Sequence, residues 1–143
     1  MRLLAVVALA LAPLSASAFC FEQAGARYGI SPILLHSISV IENRSGDPRA
    51  INKNDNNTVD VGLMQINSRH LEDLARYGVT FNALLDPCTN VMVGAWLLAK
   101  HIARDGMTWR AVGSYHSRNP EKGLPYGERV RKQVLKTLAA NGS

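Results

Sequence analysis

The chain has 143 residues, 16 of them basic and 11 acidic, for a formal net charge of +5 at pH 7. That length suits one compact domain rather than several. The four histidines and two cysteines show neither His-x-x-x-His nor Cys-x-x-Cys spacing, which argues against a metal site. The basic residues are not interleaved with aromatics, which argues against a nucleic-acid surface.

Met1 and Arg2 open the chain with positive charge, "LLAVVALALAPL" from Leu3 to Leu14 is apolar, and "SASA" ends at Ala18 in an Ala-x-Ala pattern. This predicts a secretory signal peptide, residues 1–18, cleaved after Ala18 to leave a single domain, residues 19–143. A membrane anchor is the alternative, but the run falls short of the ~20 apolar residues that a spanning helix needs. Cys20 raises a lipoprotein alternative, which the bulky Phe19 before it disfavours. Removing 18 residues and Arg2 leaves 125 residues and a charge of +4. Such a charge favours polyanions, although an ordinary solvated surface also accounts for it. Two cysteines in an exported chain predict a Cys20–Cys88 disulfide, with two free buried thiols as the alternative. Closing so long a loop contributes about 4 kcal/mol in the chain-entropy model.

After the leader, "CFEQAGARYG" reads as a short helix ending at Gly29. "SPILLHSISVIEN" follows, with Ser31 as N-cap and Pro32 at the first helical position. Its Ile33, Leu34, Leu35, Ile38 and Ile41 recur at helical spacing. Glu42 closes that helix on the border of the apolar stripe. "RSGDPRAINKNDNN" is turn-rich. "TVDVGLMQIN" supplies a short strand or hairpin arm, with Ala50 to Asn52 as its partner. "SRHLEDLARYG" and "TFNALLD" read as short helical pieces. "DPCTNVMVGAWLLAKHIARDG" is a long helix capped by Asp86 and stopped at Gly106, and "TWRAVGSYHS" is another capped by Thr108. "RNPEKGLP" reads as a loop before the last helix, "YGERVRKQVLKTLAANG". Gly62, Gly94 and Gly113 mark close backbone approaches. The whole is α+β, mostly helical, with a small β-insert directly after the helix that carries Glu42.

Glu42 is oddly placed. A helix C-terminus is partly negative, so an acid there is disfavoured by a few tenths to about 1 kcal/mol. Burial raises a carboxyl's pKa further. The position is either exposed and unremarkable, or it keeps a proton available for chemistry. Nearby acids are Asp47, Asp55 and Asp60.

"ENRSGDPRAIN", "DVGLMQINS", "DPCTNVMVGAWLL", "WRAVGSYHS" and "YGERV" follow one another in an order that resembles the soluble lytic transglycosylases of the lysozyme-like superfamily. The likeness is greatest to the small exported members that accompany type III and type IV secretion and pilus machines, and it spans about Phe19 to Leu138. It implies a lysozyme-like fold and cleavage of the β-1,4 bond between N-acetylmuramic acid and N-acetylglucosamine in peptidoglycan. It also implies a 1,6-anhydro product, a periplasmic location, no cofactor, and glycan strands and secretion or pilus components as partners. Glu42 would be general acid, then general base. An ordinary glutamate is ionised at neutral pH, whereas one in an apolar pocket, as in lysozyme, is raised to about 6.

Glycosidases usually pair two carboxylates, so Asp60 is a possible second acid, with a structural place in the hairpin as its alternative. In the family one glutamate suffices. The resemblance gives Gln65 a place near the substrate's acetamido group, the alternative being an amide satisfied by backbone. Met64 is a cleft wall or plain core. The resemblance also implies that Tyr115 lies near Glu42 and that Tyr126 hydrogen-bonds toward the carboxylate, with ordinary core packing as the alternative for both. His116 stands where the family more commonly has Asn. Trp96 and Trp109 read as core, His36 as structural, and the basic last helix as a solvated face. A hydrolase or a non-catalytic wall-binding protein on the same fold are the rival readings.

Overall fold

The computed structural model describes residues 16–142; the apolar stretch assigned to the leader lies outside them, and the expected cleavage point falls within the first helix. Six helices carry the domain: α1 Ala16–Tyr28, α2 Pro32–Glu42, α3 Leu71–Ala75, α4 Pro87–Asp105, α5 Trp109–His116 and α6 Pro120–Asn141. Between α2 and α3 lie three short strands, β1 Ile51–Lys53, β2 Val59–Val61 and β3 Ile66–Asn67. The chain is therefore mostly helical with a small antiparallel sheet, as its sequence predicts.

Local chemistry sets the helix limits. The Asp86 carboxylate accepts from the Thr89 N–H at 2.8 Å and Thr108 Oγ1 from the Ala111 N–H at 3.1 Å, so α4 and α5 start where expected. The hydroxyl of Ser31 makes no such cap; Pro32 alone marks the start of α2. The predicted loop "RNPEKGLP" is a correction. Asn119 caps α6 by accepting from the Glu121 N–H at 3.0 Å, Pro120 takes the first helical position, and the helix runs on through Pro125. A proline is tolerated there because the one carbonyl that it deprives of a donor belongs to exposed Glu121 in the first turn.

The sheet order is β1-β2-β3, with Asn52 opposite Asp60 and Asp60 opposite Asn67. Strand alternation places these three polar residues in one row, while Val61 and its neighbour Ile66 face the core and are fully buried.

α1 packs on α4, α2 on α6, and α5 lies between α4 and α6. α5 and α6 approach to backbone contact: a Cβ on Gly113 would fall 2.4 Å from the Gly123 carbonyl oxygen. Leu35, Ile38, Met64, Val91, Leu98 and Val130 centre the core. Along α6 the expected stripe fades outward, from buried Val130 through half-buried Val134 to Leu138, which is 48 % exposed. Trp96 is partly buried against the core, but Trp109 is 42 % exposed, which corrects its reading as core. It opens α5 at the molecule's edge. Cys20 and Cys88 form a disulfide that joins α1 to α4, with Cα atoms 4.9 Å apart.

Candidate active site

Glu42 ends α2 at the junction of the helices and the sheet. The turn after it is built by Asn43, a residue to which the sequence reading gave no role beyond the end of the helical run. Its buried amide donates to the Asp47 carbonyl at 2.8 Å and the Gly62 carbonyl at 3.2 Å, and its Oδ1 accepts from the Ser45 hydroxyl at 2.6 Å. The end of α2 is thereby tied to the start of "GLMQ".

The Glu42 side chain is partly buried and accepts a 2.5 Å hydrogen bond from the Tyr126 hydroxyl, across 84 residues of sequence. Burial is the main cause that raises its pKa above the ordinary glutamate value. The Tyr126 hydrogen bond opposes that rise, the negative charge of Asp60 adds to it, and Arg129 opposes it. The net direction is upward. Tyr126 is almost wholly buried, and burial, then the charge of Glu42, push its own pKa far up. It is thus a fixed donor to the carboxyl.

Tyr115 lies near Glu42 but bonds elsewhere: its hydroxyl donates to the Met64 carbonyl at 2.8 Å. Its pKa too is raised, first by burial, then by the charges of Glu42 and Asp60. Met64 is fully buried against Gly94, where a Cβ would meet its side chain at 2.8 Å. In this structure it acts on the site through its backbone. Gln65 adopts φ 49°, in the left-handed region that non-glycine residues seldom occupy. Its Nε2 donates to the Gly62 carbonyl at 2.9 Å and its Oε1 accepts from the Asn52 amide at 2.6 Å. Both ends of the amide are engaged within the hairpin.

Asp60 is held by two amides, one oxygen accepting from Asn67 at 2.8 Å and the other from Asn54 at 3.0 Å. It reaches Glu42 through its charge. His116, at the end of α5, stacks on the Tyr126 ring with centroids 4.9 Å apart and planes 6° from parallel. The Arg129 guanidinium lies 5.4 Å from the centroid of the same ring. His36 is remote, edge-on to Phe21.

Asn90 is a second residue that the sequence did not reveal. Fully buried in α4, it accepts from the Met64 N–H at 2.8 Å and donates to the Val61 and Leu84 carbonyls at 2.8 and 2.9 Å. Gly62, at φ 78°, leaves room for it: a Cβ there would lie 2.2 Å from Asn90 Nδ2. The only signal in sequence is a polar residue within an apolar helix; its partners are too distant to be read.

A cavity of about 350 Å³ lies elsewhere, between Tyr28, Leu74, Tyr77, Met92 and Trp96. No carboxylate lines it, so it offers no acid, and the chemistry of Glu42 locates the candidate site better than that concavity does. No group of three or more potential metal ligands occurs among the described residues.

Residues 19–123 match the family described as "Transglycosylase SLT domain". The chain belongs to that family. Among similar curated proteins, "Invasion protein IagB" of Salmonella typhimurium is 36% identical over 121 residues, covering 84% of this chain and 75% of that protein. "Protein IpgF" of Shigella flexneri is 33% identical over 139 residues, covering 93% and 90%. A "Peptidoglycan-binding-like protein" of Escherichia coli O157:H7 is 36% identical over 126 residues, covering 80% and 75%. The SLT match stops at Gly123, so the place of Tyr126 rests on its hydrogen bond to Glu42.

Proposed function

We propose that this SLT-family chain is a peptidoglycan lytic transglycosylase with Glu42 as its acid and base. The reading rests on one observation: a partly buried glutamate, its pKa raised, against the hydroxyl of a buried tyrosine. In the first step the Glu42 carboxyl gives its proton to the oxygen between N-acetylmuramic acid and N-acetylglucosamine. The glycosidic C–O bond breaks, and the substrate's acetamido oxygen stabilises the charge at the anomeric carbon. In the second step the 6-hydroxyl of the same sugar attacks that carbon and its proton passes to the Glu42 carboxylate. No water is consumed and Glu42 is restored. Tethering the nucleophile to the reacting ring replaces the ordering of a separate water molecule. The hydrogen bond from Tyr126 steadies the carboxylate between the steps. Gln65, Met64 and Tyr115 support the cleft wall in this scheme, and Asp60 shapes the field around Glu42 rather than serving as a second acid.

Export through the 1–18 leader to the periplasm, and local wall opening for a secretion or pilus machine, complete the proposal. The disulfide supports an oxidising compartment, no helix among the described residues is long and apolar enough to cross a membrane, and one relative bears the name "Invasion protein".

A second reading, a wall-binding protein without activity, draws on the printed name of the Escherichia coli relative. Incubation of purified sacculi with the wild type and with Glu42→Gln separates them. The expected outcome is clearing by the wild type alone, with muropeptides one water lighter than hydrolytic products. Products of ordinary mass would make the chain a hydrolase. Clearing by the variant would remove Glu42 from the mechanism, and no clearing by the wild type would favour binding alone.

A further inference from the structure

The ring that covers the donor to Glu42 is itself ionisable. His116 closes α5 with its backbone ending at Ser117, whose N–H bonds the Gly113 carbonyl at 3.1 Å, so its Cα is fixed by the tight α5–α6 packing. Its imidazole is exposed on one side and lies nearly parallel to the phenol of Tyr126 on the other. Tyr126 in turn is 1% exposed and has its hydroxyl on Glu42. Three side chains from three helices thus form a line: His116 of α5, Tyr126 of α6, Glu42 of α2.

We propose that His116 is a positioning residue for the Glu42 acid: its ring holds the Tyr126 phenol on the carboxyl and couples that carboxyl to a second proton-binding group. The proposal deepens the reading of Glu42 as an acid and, as a role in catalysis, rests on it.

The physical case has two parts. Offset stacking of two aromatic rings is favourable beyond their burial, and here it biases the orientation of a phenol whose hydroxyl bonds Glu42. The second part is charge. The groups that face His116 are Arg129 and Lys122 of α6, Asp60 of β2, and, through the phenol, Glu42. Burial of the ring, then the two cations, lower the pKa of His116, while Asp60 opposes them. Glu42 moves the other way. These directions bring the two groups toward one another, and where both are partly protonated a single proton has two homes. With the proton on Glu42 and the imidazole neutral, the acid is armed. With the proton on His116, the cation favours ionised Glu42 and the acid is spent. Interacting groups of this kind titrate in steps that belong to the pair. An asparagine at 116 has no such second state.

The test is an NMR titration of the Glu42 side-chain carboxyl carbon in the full domain, with no glycan present. The wild type is compared with His116→Phe, which keeps a flat ring but not the proton, and with His116→Asn. The wild type should give a two-step or broadened curve, and both variants a single step with Glu42 more fully protonated than in the wild type on the acid side. At neutral pH His116→Phe should agree with the wild type, whereas His116→Asn, which has no ring to hold the phenol, should keep its Glu42 signal shifted toward the protonated form. In activity assays, the kcat/KM of the wild type should fall below that of His116→Phe toward acid pH and match it near pH 7. A wild-type titration that is a single step and superimposes on that of His116→Phe overturns the proposal, and needs no variant beyond one exposed, conservative change. Because the titration uses no substrate, a two-step curve in a protein that fails to clear sacculi would leave the coupling standing and remove only the catalytic reading.

Discussion

At the scale of the residue, Glu42 sets two opposing demands. Its raised pKa means that the folded chain holds this proton more tightly than the unfolded chain does. Between the ordinary glutamate value and the raised one, the folded state therefore binds more protons, and stability falls as pH rises. Above the raised value the penalty is complete. Glu42→Gln should then melt a few degrees higher than the wild type at pH 7, with the gain fading toward pH 4; scanning calorimetry at both pH values checks this. Tyr126→Phe removes the hydrogen bond that opposes the rise. The Glu42 pKa should climb further by NMR, and turnover should drop about ten- to a hundredfold, the worth of a hydrogen bond to a charged group. An unchanged Glu42 titration in that variant would show that the 2.5 Å contact carries no energy.

At the scale of the element, what the sequence made legible was local. Asp86, Thr108 and the glycines after α1 and α4 announce helix ends through bonds that span three or four residues, and the structure places those ends there. The Ala50 region and the Val59 region pair as expected, with β3 added to make a third strand. The start of α6 was not legible, because Pro125 reads as a breaker until its place in the second turn is known. In the candidate site, Glu42 stood out through its conflict with the helix dipole, and the contact to Tyr126 was anticipated. Asn43 and Asn90 were not, since beside one nearby carbonyl each, their amides act on backbone groups 19 to 29 residues away, beyond any local pattern. The engagement of both ends of the Gln65 amide belongs to the same class of unreadable fact. Packing between α5 and α6 makes a further test. Gly113→Ala would drive a methyl into the Gly123 backbone, which cannot rotate away as a side chain can. It should cost about 1–3 kcal/mol, as overpacking does, and should lower activity more than the loss of stability accounts for, by shifting Tyr115 and His116 against Tyr126. Urea melts beside activity measured well below the melting temperature separate the two effects.

At the scale of the whole molecule, the disulfide and the candidate site occupy different parts of the frame. Cys20–Cys88 fastens α1 to α4 across 68 residues, whereas the proton donor is assembled from α2 and α6. Reduction should lower stability by about 4 kcal/mol and leave the Glu42 titration unaltered at temperatures where the domain stays folded. Chemical denaturation with and without reductant, read beside the carboxyl NMR signal, checks both halves. A Glu42 signal that moved on reduction would mean that the two regions are coupled through α4.

The 84 residues between Glu42 and Tyr126 also set an order of events. A ribosome delivers the glutamate long before the tyrosine, and the helix that bears the tyrosine is the last of the six described. A nascent chain, or one clipped before residue 126, contains Glu42, Asp60, Gln65, Tyr115 and His116 and still lacks its lock. On the proposed function, full wall-cutting capacity would thus arrive only with the final helix, when synthesis is nearly over.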